Sequence, residues 1–585
     1  MATSNTSLLI ILVIYFANNV IGNVIVDTKY GKIEGKEVNS IIPDKKYYSF
    51  LSIPYAQPPI GELRFKAPVP YPSWDDVLEA KKEKKHCAQH NLPIRQIKTY
   101  GYCGVEDCLH LSIHTPNLPD SNNSKLPVIV YLYNENFKVS YNATKEYGPD
   151  FFMNEDVIIV TINHRLGALG FVSFEDELIP GNNGIRDVIL ALKWIKDNIS
   201  YFSGDPLRVT LMGNSGGAAI VDILLHSPKA KGLFSAAIMQ GDSSFNPLYF
   251  DDNPKKRAIS LTEALEDKAT TSASFIERLS EVSAMKITDS EFFVIHADEA
   301  RAIQRGILPF GPVSEIEHDD AVITKVPEKN PIELPVPVMI GFNSRQSIEV
   351  NSRYLHSPQY LTFADRDFLI LFPKRVGYHF KIHDNVYNKA VEEIKNYYFD
   401  EGYVKISKPG EYLNYIGDIM SFYHVDYTVR TYTNTSSTPI YYYMFDYSGE
   451  LNFRKKSILE ETVNFDGTWG ASAGDELCYL FVCNKHRKQY KKLLENEDSE
   501  EINVLKNMVK MVTDFAKTGN PTPPGSEITW KPATQANREC LVISDELKMV
   551  SKLYDDKVKF WDDFIEKYEK MAVDGVVKDA VNDEL

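Results

Sequence analysis

The chain has 585 residues and carries 80 acidic against 64 basic side chains, a formal net charge of −16. That length can bury a large core. That acidity opposes nucleic acid and anionic membrane surfaces, so neither is an expected partner. The one basic cluster, Lys81 to Lys85 (KKEKK), reads as a solvated face.

Leu8 to Phe16 is an uninterrupted apolar run, followed by the modest residues Val20-Ile21-Gly22. It is too short to span a bilayer and reads as a secretory signal peptide over residues 1–22, although no positive segment precedes it. No later run reaches eighteen apolar residues, so no membrane anchor is expected. Val128 to Leu132 and Val157 to Thr161 read as central strands. Asp187 to Ile199 has helical spacing, and Val209 to Met212 reads as a buried strand before a helix over Ala218 to Leu225. Pro254 to Asp320 is mixed and helical, a cap over the sheet's carboxyl edge. Pro335 to Gly341 reads as a later strand, and Val558 to Met571 as an amphipathic end helix. Strands alternating with helices predict an α/β fold with a largely parallel central sheet. No linker or repeat divides residues 23–570, so one large domain is expected there. Residues 571–585 read as an acidic tail. It ends Asn582-Asp583-Glu584-Leu585, similar to the K-D-E-L retrieval signal with Asn in first place. The endoplasmic reticulum lumen, or secretion, is the expected location.

Six cysteines in an oxidising compartment predict disulfides. Zinc-type C-x-x-C spacing is absent, so neither a metal nor a cofactor is expected. Sequons at Asn122, Asn142, Asn198 and Asn434 predict a glycosylated surface; Asn5 also matches but lies in the predicted signal.

Gly213-Asn214-Ser215-Gly216-Gly217 carries the chemistry. G-x-S-x-G between a strand and a helix places a serine on a tight, strained turn with its hydroxyl exposed. The small flanking residues let the backbone turn sharply.

Several segments together resemble the type-B carboxylesterase and cholinesterase family. Ser49 to Pro68 (SFLSIPYAQPPIGELRFKAP) is similar to its N-terminal signature, and Glu106-Asp107-Cys108-Leu109 to its second. Asn163 to Phe171 (NHRLGALGF), Gly181 to Asp187 (GNNGIRD), Phe202 to Pro206 (FSGDP), the serine elbow, Lys517 to Pro523 (KTGNPTP) and Phe560-Trp561 follow in family order. The resemblance implies an α/β-hydrolase fold. It also implies a disulfide between Cys87 and Cys108, with pairing through the nearby Cys103 left open. Members sometimes dimerise through C-terminal helices; the oligomeric state here stays open.

The catalytic elements depart from that family. Serine needs a base to take its proton, an acid to orient the base, and backbone N–H groups for the oxyanion. The resemblance places the acid in G-x-N-x-x-E, where this chain has Gly341-Phe342-Asn343-Ser344-Arg345-Gln346. Glu349, one helical turn on, is either a substitute acid or an exposed carboxylate. The base position, just before Gly474-Asp475-Glu476-Leu477, is Ala473, whose methyl group cannot accept a proton. No histidine lies between His424 and His486, and His486 reads as a surface residue. The glycine-rich oxyanion loop is replaced by Tyr133-Asn134-Glu135-Asn136-Phe137. Asn134 and Asn136 suit left-handed backbone better than Glu135. Asn134, Glu135 and Gly216 mark the oxyanion-hole positions.

Loss of a triad base costs about 10⁶ in turnover, and an oxyanion donor roughly 10²–10³ more, non-additively. The expectation is a pseudoenzyme that binds a small apolar ligand, lined by some of the 34 tyrosines and 30 phenylalanines. The alternatives are a non-catalytic interaction module with a luminal or extracellular protein partner, similar to the family's adhesion members, and a weak ester hydrolase using Ser215.

Overall fold

The computed structural model describes residues 23–579, apart from 92–100, 120–123, 141–142, 461, 497 and 527. The predicted signal, the terminal Asn-Asp-Glu-Leu, and the sequons at Asn122 and Asn142 lie outside the described residues.

A thirteen-stranded sheet organises the chain. Its strands are β1 (Asn23–Thr28), β2 (Gly31–Asn39), β3 (Lys46–Pro54), β4 (Leu78–Glu79), β5 (His110–Thr115), β6 (Leu126–Asn134) and β7 (Ile158–Ile162). They continue as β8 (Gly204–Ser215), β9 (Ala236–Gln240), β10 (Val338–Asn343), β11 (Ile440–Phe445), β12 (Cys540–Ile543) and β13 (Leu547–Val550). The spatial order is β1-β2-β3-β5-β7-β6-β8-β9-β10-β11-β12-β13, with β4 beside β2. From β7 to β12 every pairing is parallel. The flanking pairings on the main path are antiparallel.

The central strands are apolar without alternation because both faces are covered. Val128, Ile129, Val130, Tyr131 and Leu132 of β6 are all fully buried. Helix α1 (Asn183–Asn198) packs on one side through Val188, Leu192 and Ile195, and α5 (Glu500–Thr518) contributes Met508, Val512 and Phe515 to the other. The predicted strand over Pro335 to Gly341 starts late, at Val338. Pro335 and Pro337 have no N–H to give the ladder.

Parallel strands bring their carboxyl ends to one edge. Asn134, Ser215, Gln240 and Asn343 each end a strand there, and the register pairs Ser215 with Asn134 and Asn214 with Gln240.

Three expectations need correction. Asn198 is fully buried at the end of α1 and its amide donates to Trp194 O at 2.8 Å, so this sequon is not on the folded surface. Asn434, near the end of α3 (Tyr423–Thr435), is exposed. The body also extends past residue 570. Ala572–Val573 and Val576–Val577 form a hairpin that pairs with His379–Phe380, and Val577 is fully buried. The segment Pro254 to Asp320 does contain helices, at Pro254–Ala264, Ser272–Leu279, Ala284–Ser290 and Ala297–Ile303. None of its residues lines the cavity at Ser215.

Cys87 bonds to Cys108, and Cys478 to Cys483. Cys103 and Cys540 are free thiols, half-buried and buried. The end helix α6 (Asp555–Lys570) turns Val558, Trp561, Phe564 and Tyr568 into this chain's own core.

Candidate functional site

Ser215 sits where β8 hands over to α2 (Gly216–His226), with φ +49° and ψ −122°. A side-chain-bearing residue is strained there, and such strain persists only where packing enforces it. The glycines are the enforcing contacts. A Cβ on Gly213 would run into Gly217 O, one on Gly217 into Leu132 O, and one on Gly216 into Asn134 Oδ1.

The Ser215 hydroxyl donates to Asn136 Oδ1 at 3.3 Å. Tyr249 OH lies 3.1 Å from the same oxygen and donates more closely to Asp242 Oδ2. Asp242 Oδ1 in turn accepts from His424 Nε2 at 2.6 Å. Among the described residues no imidazole hydrogen-bonds Ser215; His424 is linked to it through Asp242 and Tyr249. Burial and the Asp242 charge hold the Tyr249 phenol well above its ordinary range, so it stays neutral and cannot serve as a base.

The acid position is filled by an engaged amide. Gln346 Nε2 donates to Gly241 O at 2.7 Å. Its Oε1 accepts from Ser421 Oγ at 3.0 Å and from Asn343 N at 3.3 Å. It ties three segments together and has no imidazole to orient.

An ion triad lies across the base position and the loop. Arg454, on α4 (Phe453–Leu459), places Nη2 2.7 Å from Glu135 Oε1 and 2.5 Å from Glu349 Oε1. It packs against Gly474, the neighbour of Ala473. Glu349 is therefore neither a substitute acid nor a solvent-exposed carboxylate. Burial raises its pKa while Arg454 pulls it down. His486 is exposed and stacks on Phe453 at 3.6 Å between ring centroids.

Two N–H groups of the loop after β6 are engaged within it. Glu135 N–H donates to Val139 O at 2.7 Å, and Phe137 N–H to Asn134 Oδ1 at 2.7 Å. The left-handed residues are Asn136 (φ +51°) and Phe137 (φ +58°), not Asn134. Asn134 is instead a buried strap whose Nδ2 meets His164 Nε2 at 3.2 Å. An N–H already bonded within the loop is not free for an oxyanion.

A cavity of about 150 Å³ opens beside Ser215. Its apolar lining is limited to Leu248, Val350, Met420 and Ala473. The rest is carboxylates, amides and hydroxyls, with Arg454, Gly241 and Gly474. No tyrosine or phenylalanine lines it, which corrects the expectation of an aromatic lining. The rings pack in the core instead, as with Tyr131 on Phe481 and Phe137 on Tyr249. Burial pushes the Glu476 carboxyl up to about 7, although Asn343 donates to it. The described residues hold no cluster of metal-ligating side chains.

The profile of the Carboxylesterase family matches residues 22–561. The chain belongs to the carboxylesterase family. Juvenile hormone esterase of Tribolium castaneum is 29% identical over 538 residues, covering 89% of this chain and 88% of that protein. Esterase FE4 of Myzus persicae is 30% identical over 495 residues, 84% of each chain. Liver carboxylesterase 1 of Mus musculus is 29% identical over 560 residues, 92% of each. The crystal structure of juvenile hormone esterase from Manduca sexta, with OTFP covalently attached, superposes with a TM-score of 0.74. It is 24% identical and covers 93% of this chain and all of that one, so it supports the α/β-hydrolase fold.

Within this carboxylesterase frame, the sequence pointed to Ser215, Gln346 and Ala473 but missed Arg454, Asp242, Tyr249 and His424. Asp242 had a usable signal, because it follows a strand at the carboxyl edge of a parallel sheet. Arg454 had none. It comes from α4, 319 positions from Glu135.

Proposed function

We propose that this carboxylesterase-family chain binds a small polar molecule at Ser215 without hydrolysing esters. The observation that carries the reading is the Ser215 hydroxyl bond to the Asn136 side-chain carbonyl. An amide oxygen accepts a hydrogen bond but does not remove a proton at neutral pH. The engaged Gln346 amide, the methyl of Ala473 and the two bonded loop N–H groups support it. The amides, carboxylates and hydroxyls among the lining residues favour a ligand that carries polar groups, because a wholly apolar one would strip their water without replacing the bonds. The two disulfides favour an oxidising compartment, hence the secretory pathway.

The test is exposure of the native protein to an organophosphate probe and a nitrophenyl ester. Ser215 stays unlabelled, and turnover does not change on Ser215→Ala. Labelling of Ser215 at a rate typical of serine esterases overturns the reading. A second reading, slow ester hydrolysis, draws on the strained elbow geometry; it requires turnover that Ser215→Ala abolishes.

A further inference from the structure

A basic segment denser than Lys81 to Lys85 runs over residues 485–492 (KHRKQYKK), so that cluster is not the chain's only one. Five of these eight side chains are Lys or Arg. Local packing sorts them into two sets. Arg487 opens the short helix Arg487–Leu493 and places Nη2 2.7 Å from the buried Asp150. One turn on, Tyr490 is fully buried and donates from its hydroxyl to Cys478 O at 2.7 Å, beside the Cys478–Cys483 disulfide. Leu494 packs on the same core. Residues 487, 490 and 494 recur at helical spacing and form the face that holds this segment to the body.

The other cations lie off that face. Lys485, Lys488, Lys491 and Lys492 fall at i, i+3, i+6 and i+7, and all four are exposed. Lys485 pairs with Glu146 at 3.0 Å. Among the described residues no carboxylate pairs with Lys488, Lys491 or Lys492, although Glu495 is only four positions past Lys491. Elsewhere on this acidic chain exposed lysines do find partners. On α6, Lys559, Lys567 and Lys570 pair with Asp563, Glu393 and Glu566. Lys488 instead sits three and four positions from Lys491 and Lys492, a spacing at which like charges repel and weaken a helix. An anion bridging them removes that repulsion. His486 lies in the same positive field; burial lowers its pKa first, then Lys485 and Lys456.

We propose that this lysine strip binds a sulfated polysaccharide chain. The inference is independent of the chemistry at Ser215. Sulfates spaced along a linear polymer match cations repeated along one helix edge over a length on the order of 10 Å. Basic stretches of this density suit nucleic acid or heparin-like chains. The two disulfides favour an oxidising compartment, where nucleic acid is not the available polyanion. A lipid surface or a protein partner needs an apolar anchor, and residues 484–496 expose no large hydrophobic side chain. A broad anionic membrane would also meet the whole chain's charge of −16, whereas a single polymer strand meets only the strip.

The experiment is calorimetric titration of the full chain with a short heparin oligosaccharide at about 50 and about 200 mM salt. The oligosaccharide binds, and its affinity falls steeply with salt because each contact releases counterions. The desulfated oligosaccharide, polyglutamate, and vesicles of phosphatidylserine and phosphatidylcholine each bind at least about tenfold more weakly. Lys488→Gln, Lys491→Gln and Lys492→Gln together weaken heparin binding by at least about tenfold. Lys491→Glu alone weakens it in the same direction. Lys559→Gln, Lys567→Gln and Lys570→Gln together, the control for total charge, leave it within about threefold. No binding at the lower salt, or a loss no larger in the strip variant than in the control, overturns the proposal. Equal or tighter binding of polyglutamate or of the vesicles overturns the choice of a sulfated chain.

Discussion

Arg454 Nη2 lies 2.7 Å from Glu135 Oε1, joining a helix after β11 to the loop that would otherwise form an oxyanion hole. The same nitrogen holds Glu349, three residues beyond the acid position. The guanidinium and the two carboxylates therefore form an organised ion triad beside the acid position.

Arg454→Met leaves Glu135 and Glu349 facing each other without a cation. Removing one partner of a buried pair costs about 3–5 kcal/mol. Urea unfolding should show that loss, and adding Glu135→Gln with Glu349→Gln should recover most of it. A loss below about 1 kcal/mol would mean the triad is solvated.

Ala473→His alone should not restore ester turnover. The new imidazole would meet Gln346, whose amide is already committed to Gly241, Ser421 and Asn343. Arg454 is also close by, and a cation there opposes an imidazolium. Nitrophenyl ester hydrolysis should stay within about tenfold of the parent, far from the ~10⁶ that a triad base supplies. A larger gain would show that the loop donors can be freed.

Glu476 ties stability to pH. Its folded pKa, about 7, lies above the ordinary 4.5 because burial disfavours the charge. The folded state then binds more protons than the unfolded state between those values, so stability falls as pH rises through that window and levels off above it. The total is on the order of 3 kcal/mol. Glu291, also raised to about 7 by burial, adds a similar slope elsewhere. Denaturation at pH 5 and pH 8 should show a smaller difference in Glu476→Gln than in the parent; an unchanged difference would count against a carboxyl raised by burial.

Glycopeptide mapping from a secretory host should find glycan at Asn434 and none at Asn198. Asn434 is exposed, whereas the Asn198 amide is buried against Trp194 O. Glycan on Asn198 would place the end of α1 at the surface.

Alkylation should sort the cysteines by burial. Without reductant, Cys103 reacts in the native protein and Cys540 only after denaturation. Peptides joined through Cys87–Cys108 and Cys478–Cys483 should appear. A Cys87–Cys103 peptide would reverse the pairing.

Local patterns were readable in the chain itself. The apolar run at Val128 to Leu132 requires a strand covered on both faces, and the glycines around Ser215 require a tight turn, because both depend on residues within one element. Prolines before Val338 moved a strand start by three positions, a local effect that periodicity alone overlooks.

The side-chain identities at 346 and 473 came from sequence, because amide and methyl chemistry do not depend on the fold. The contacts made around those positions did not. The Arg454 bridge, the bond from Ser215 to Asn136, the relay to His424 and the lining of the cavity join segments dozens to hundreds of positions apart. Charge pairing and desolvation are set by distances through space, and only the assembled sheet edge fixes those.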